Sequence, residues 1–147
     1  MTEPSYDELV QELINRRRIE TEADAEAFDS ILASIDLEDA ARRPEPLYLA
    51  FDDDTGFPQV TFNLLHLVED LGLDTHVRAL AKVGPQAEAH AREWLVDMLF
   101  RVVNVEEGAT LLRSCLEQPN PFLRDALEVI GAEGNPTQKA RVRSILE

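Results

Sequence analysis

PQAEAHAREWLVDMLFRVV, residues 85–103, decides the fold. Proline suits the first turn of a helix, where its missing N–H would have had no partner. Ala87, Ala91, Trp94, Leu95, Met98, Leu99 and Val102 then recur at three- and four-residue intervals and form one broad apolar face. A helix of this length with a wide apolar face must be covered by several neighbours, and the flanking sequence supplies them as further helices. Upstream, Asp74 reads as the cap of a helix through Val83 that stops at Gly84. Downstream, Asn104 with Glu107 reads as a cap pair, followed by Leu111, Leu112, Cys115 and Leu116. Asn120-Pro121 and Asn135-Pro136 repeat one device, an N-cap residue and then proline at the first helical position.

The N-terminal half carries the same signals. Ser5 with Glu8 opens a helix whose stripe is Tyr6, Leu9, Val10, Leu13 and Ile14, and Arg16, Arg17 and Arg18 follow where cations suit the helix dipole. Thr21 with Asp24 opens a second, with Ala27, Phe28, Ile31, Leu32 and Ile35 inward and Glu22, Glu26 and Asp29 outward. Pro44 and Pro46 interrupt the stretch from Asp36 to Pro58, leaving room for a short helical segment over 47–51 and the loop Asp52-Asp53-Asp54-Thr55-Gly56. A third helix starts at Pro58, carries Val60, Leu64, Leu65, Leu67, Val68 and Leu71, and ends at Gly72. No stretch alternates as a strand does. The expectation is an all-α chain, residues 1–147 as one domain, with about eight antiparallel helices. They would stack as hairpins in a HEAT-like or other α-superhelical manner, or form an irregular bundle, since no strict repeat is visible.

Charge is distributed unevenly. The net charge is −15; residues 1–75 hold 19 of the 29 acidic residues but only 5 of the 14 basic ones. Such a chain repels nucleic acid and anionic membrane and attracts cationic protein surfaces at raised association rates. At 44% hydrophobic residues it is no disordered acidic tail. Cys115 stands alone, so neither a disulfide nor a cysteine metal cluster is expected, and a cytosolic setting is natural. The first residues, Met-Thr-Glu-Pro-Ser-Tyr-Asp-Glu, lack the basic and apolar regions of a signal peptide, and no apolar run reaches the length of a membrane span.

The residues offer little chemistry. His66 and Glu69 have an H-x-x-E spacing used in di-metal bundles, but no second motif completes a site, and a buried hydrogen-bonded pair is the expectation. Asp52, Asp53 and Asp54 resemble the start of a calcium loop, yet Gly56 falls where the fifth ligand should be and Asn63 at the twelfth position. No glycine-rich phosphate loop is present, and Cys115 falls on an apolar face as a core residue. Hence no catalytic residue, metal or cofactor is assigned, and no enzyme is expected. Lys139, Arg141 and Arg143 read as helix-end cations. Arg101 shares a helix face with Trp94, which should be mostly buried; an arginine there pairs with an acid on a neighbouring helix, and Glu69 is the candidate.

The acidic loop, the helix with His66-x-x-Glu69, about two helical turns, and the long helix with Trp94 ending Arg101-Val-Val-Asn104 form an ordered combination. Over Asp53 to Asn104 it resembles the immunity protein 30 family of bacterial polymorphic toxin systems. The chain departs from that family in carrying His76 where an aromatic residue is frequent. The resemblance implies an all-α protein encoded beside a toxin gene that protects its own cell by binding the toxin. On the charge pattern, the acidic half would dock on a basic surface of the cognate toxin and occlude its active site. Asp52, Asp53, Asp54, Glu22, Glu26 and Asp29 are the expected contacts. Nucleases, whose clefts are basic to hold phosphates, are the first class to consider, with ADP-ribosyltransferases and deaminases next. A HEAT-like adaptor with a non-toxin partner is the alternative.

Overall fold

The computed structural model describes residues 3–147, and among these every regular element is helical. Eight α-helices follow in order: α1 (Tyr6–Asn15), α2 (Glu22–Ala33), α3 (Leu37–Arg42), α4 (Pro58–Glu69), α5 (Leu73–Val103), α6 (Glu106–Cys115), α7 (Pro121–Glu133) and α8 (Pro136–Leu146). A 3₁₀ helix, Glu45–Ala50, lies between α3 and α4, in the segment set apart by Pro44 and Pro46.

Local chemistry fixes most of the starts. Thr21 and Asp24 form a reciprocal capping box at α2, and Asn135 and Gln138 form another at α8. Asn120 accepts from Leu123 N at α7, Asp36 from Glu38 N at α3, and Ser5 from Glu8 N at α1. Two expected caps are replaced. The residue before α5 is Gly72, and Asp74 sits inside the first turn, where its carboxylate accepts from Arg78. Val105 precedes α6, while Asn104 accepts a 2.7 Å hydrogen bond from Gln138 Nε2 and so ties the end of α5 to α8.

The main departure is in the decisive stretch itself. Gly84-Pro85 does not divide two helices; α5 runs through it and bends at Ala91 instead, whose φ/ψ of −137°/23° is not helical. Pro85 removes the amide that would bond Ala81 O, but Asn120 Nδ2 donates to that carbonyl at 2.8 Å, so the helix continues without an orphaned acceptor. Gly84 is there for space: a Cβ would stand 2.2 Å from the Phe122 ring, which packs against the α5 backbone.

Helix α5 is the spine. It packs on the 3₁₀ helix and on α4, α6, α7 and α8, while α1 and α2 pack on each other, α1 on the 3₁₀ helix and α2 on α4. This is the irregular bundle rather than a row of hairpins, in which each unit would touch only its neighbours. The buried side chains form one continuous core from Tyr6 to Ile145, with Phe28, Tyr48, Phe51, Leu64, Leu80, Leu95, Met98 and Leu99 fully enclosed. Trp94 belongs to it at 8% exposure.

Candidate functional site

The aspartate loop meets the bend of α5, and the two explain each other. Non-helical backbone at Ala91 frees the amides of the turn that follows. Asp53 takes them: its carboxylate accepts from Glu93 N at 3.1 Å and from Trp94 N at 3.2 Å, while its own amide donates to His90 O at 2.8 Å. It therefore acts as the N-cap of the second half of α5, supplied from a loop some forty residues earlier in the chain. Asp52 is buried at 3% exposure and paired with Arg17 Nε at 3.1 Å. Its other carboxylate oxygen accepts from Asp54 N, and its carbonyl accepts from Trp94 Nε1 at 3.0 Å. Gly56 N donates to Arg18 O at 2.9 Å, an approach that a Cβ on Gly56 would block by standing 2.7 Å from Ile19 O.

The three aspartates therefore have three separate situations. Asp52 is inside, Asp53 is spent on a helix end, and Asp54 is exposed, 4.0 Å from Arg18. They do not present three free carboxylates to a partner, because the bend of α5 and the arginine turn claim the first two. Arg16, Arg17 and Arg18 lie beyond the end of α1 and reach Asp24, Asp52 and Asp54; they are cross-links to other segments, not complements to the α1 dipole. At the other end of the chain, Arg141 Nη1 donates to Val103 O and so closes α5 rather than its own helix.

On α2, Glu22 and Glu26 are exposed and meet no cation within 4.0 Å among the described residues. Asp29 is also exposed, and its carboxylate accepts from Asn63 Nδ2 of α4 at 2.9 Å. Glu69 and Arg101 meet as a two-point pair, Nε to Oε2 at 2.7 Å and Nη2 to Oε1 at 2.9 Å, joining α4 to α5 near the surface. The Arg101 hydrogen bonds hold the Glu69 carboxyl below its ordinary range against the opposing effect of partial burial. His66 is exposed and Glu69 turns to Arg101, so the expected buried pair between them does not form. Among the described residues no group of three or more His, Cys, Asp or Glu side chains could hold a metal. Cys115 is partly buried, which raises its thiol pKa and weakens it as a nucleophile.

His76 occupies an aromatic position. Its ring stacks on Tyr48 at 5.8 Å and 18°, and Nδ1 lies 2.7 Å from the Tyr48 hydroxyl. Burial pushes its pKa down to about 4, only partly opposed by the Glu69 charge, so the ring is neutral at pH 7.

One feature escaped the sequence reading. Phe62 lies off the apolar stripe of α4 and is 43% exposed, with its ring 5.1 Å from that of Trp94 at 76°. It walls a groove of about 310 Å³ that is also bounded by Asp53, Pro58, Glu93 and Asp97. The available signal was two like charges, Glu93 and Asp97, one helical turn apart on either side of a tryptophan. Partial burial, and then the Asp53 charge, raise the Asp97 carboxyl above its ordinary range.

The model of one protein family, described as Immunity protein 30, matches residues 15–112. No curated protein and no solved structure matches the chain.

Proposed function

The chain belongs to the immunity protein 30 family, and from that premise we propose that it neutralises its cognate toxin by covering a cationic active-site cleft with its acidic N-terminal half. The observation that carries this reading is the distribution of unpaired charge. All five arginines of residues 1–75 are engaged within the chain, by Asp24, Asp52, Asp54, Asp39 and Asp7. No arginine of that half is left for Glu22 and Glu26, which are therefore available to an external cation. A cleft that binds phosphates is a ready source, which makes a nuclease the first class of toxin to test. In this reading residues 1–147 are one immunity domain, acting in the cytosol as a stoichiometric binder and not as a catalyst. No described helix is long and apolar enough to cross a membrane.

Self-protection requires nearly complete occupancy, so Kd should be about 1 nM or below, corresponding to about −12 kcal/mol. Association with the toxin encoded beside this chain, measured by stopped-flow across a range of salt, tests the mechanism. The rate should fall steeply as salt rises. A salt-independent rate would remove charge from the mechanism and leave an apolar contact as its basis.

A further inference from the structure

We propose that the groove between Phe62 and Trp94 is the anchoring pocket for one arginine side chain of the toxin. This assignment rests on the toxin-binding reading above and adds the contact that would hold the complex once formed. The groove is lined by the rings of Phe62 and Trp94 and by the carboxylates of Asp53, Glu93 and Asp97. Phe62 leaves 43% of its surface in water although the neighbouring α4 positions Val60, Thr61, Leu64 and Leu65 are buried. Glu93 and Asp97, both exposed, stand one turn apart on α5 and line the same groove. Neither lies within 4.0 Å of a cation among the described residues. The cations nearest in sequence are engaged elsewhere, Arg92 with Glu88 and Arg101 with Glu69. Asp53 adds a third negative charge that cannot turn away, because both its oxygens are held by the amides of Glu93 and Trp94.

Partial burial, and then repulsion from Asp53, raise the Asp97 carboxyl against the opposing Arg101 charge. The Asp53 cap stabilises α5, but the repulsion it brings with Asp97 gives the fold nothing. A cation entering the groove relieves it. Arginine fits better than lysine: its planar fork can bond one or two carboxylates while its face or stem lies against the phenylalanine ring. Aromatic side chains and arginines seated in partly enclosed pockets are also the residues on which interface affinity concentrates. Asn63, next to Phe62 in sequence, donates to Asp29 of α2.

The test uses the whole chain and its cognate toxin, comparing wild type with Glu93→Gln, Asp97→Gln and Phe62→Ala. Each charge variant should raise Kd by about ten-fold or more, mostly through faster dissociation, while the free chain melts at the same or a slightly higher temperature because a like-charge contact is gone. Phe62→Ala should weaken binding similarly. Single Arg→Lys substitutions across the toxin's basic surface, cycled against Asp97→Gln, should yield one position whose loss is strongly non-additive with it. If wild type binds tightly and both charge variants stay within two-fold of it, the groove assignment is overturned and the neutralisation reading stands. If wild type does not bind the toxin, both fall together.

Discussion

Three adjacent aspartates should respond to alanine in three different ways. Asp53→Ala removes both acceptors that cap the second half of α5, leaving the amides of Glu93 and Trp94 unpaired beside the core. Loss of a side-chain cap costs about 1 kcal/mol, up to about 2 in tight cases, and a carboxylate at a helix N-terminus adds roughly 0.3–1. Relief of repulsion toward Asp97 returns a few tenths, in the range of a like-charge pair on a helix, about 0.2–0.5 kcal/mol. The cap term prevails, giving a net loss of about 1.5–2 kcal/mol. For a chain of this size that lowers Tm by about 3–8 °C. Asp52→Ala should cost more, about 3 kcal/mol, because it strands Arg17 without its partner and also removes the acceptor for Asp54 N. The figure lies at the low end for a buried pair because Arg17 retains 33% exposure of its side chain. Asp54→Ala removes an 80%-exposed carboxylate and should shift stability by less than about 0.5 kcal/mol. Urea melts of the three variants, checked for a common slope, give the order directly. If Asp53→Ala and Asp54→Ala melt together, the loop does not cap α5. The series also shows why neutralising all three at once is a poor probe of binding: the protein would lose stability before its electrostatic footprint could be read.

Two further outcomes follow from the buried and bridging groups. Glu69→Gln and Arg101→Gln should couple by about 0.5–1 kcal/mol in a double-mutant cycle, small for a two-point pair because the side chains are 26% and 48% exposed. Strictly additive melts would mean they do not meet in solution. The contribution should also fade in acid, since a carboxyl held low in the folded state stabilises above its unfolded pKa and stops doing so as pH falls through the folded one. His76 acts in a different window. Its folded pKa of about 4 lies below the ordinary 6.5, so as pH drops the unfolded chain takes up a proton that the folded one refuses. Stability is therefore lost between pH 6.5 and about 4, by about 2 kcal/mol at pH 5. His76→Phe keeps an aromatic ring against Tyr48 and should flatten that slope; equal slopes for variant and wild type in urea midpoints at pH 7 and pH 5 would show that His76 is not held neutral.

What could be read from the chain divides by range. Caps made within four residues, such as Thr21 with Asp24 and Asn135 with Gln138, form as the spacing indicates because nothing distant competes for those amides. The Glu69–Arg101 pair was legible because each end of it lies on a strongly periodic helix, which fixes the face each side chain occupies. Apart from Asp74, which turns to Arg78 one turn on instead of capping α5, the failures are long-range. Gly84-Pro85 looks like a stop until Asn120 supplies the missing donor from 39 residues away, and Ala91 carries no local mark of a bend because the residue that stabilises it is Asp53. Asn104 looked like a cap, but Gln138 claims its side chain. The internal contacts of the aspartate loop are hidden for the same reason. Neither the helix end that Asp53 caps nor the arginine that pairs with Asp52 is close to the loop in sequence.

That division bears on how binding should be measured. Arg17 pairs with Asp52 and the end of α5 holds Asp53 in place, so the steering field must come largely from carboxylates that the fold does not use. Glu22 and Glu26 are such a pair, exposed on α2 and without a cation of their own. The Phe62 groove differs from them in shape: Glu93 and Asp97 are exposed too, but they border a concavity walled by Phe62, in which a seated cation would give up part of its water. Charges at a rim act mainly on the association rate, whereas truncating one partner of a buried, hydrogen-bonded charge pair acts on dissociation. The two sets should therefore separate kinetically. Glu22→Gln with Glu26→Gln should slow association several-fold at low salt, flatten its salt dependence, and leave dissociation nearly unchanged. Asp97→Gln should do the reverse, with dissociation about ten-fold faster and the salt slope of association almost retained. Surface plasmon resonance at two ionic strengths resolves both rates for each variant. Should the α2 pair change only the dissociation rate, those carboxylates lie inside the contact, and the surface that steers the toxin has to be sought elsewhere among the unpaired acids of residues 1–75.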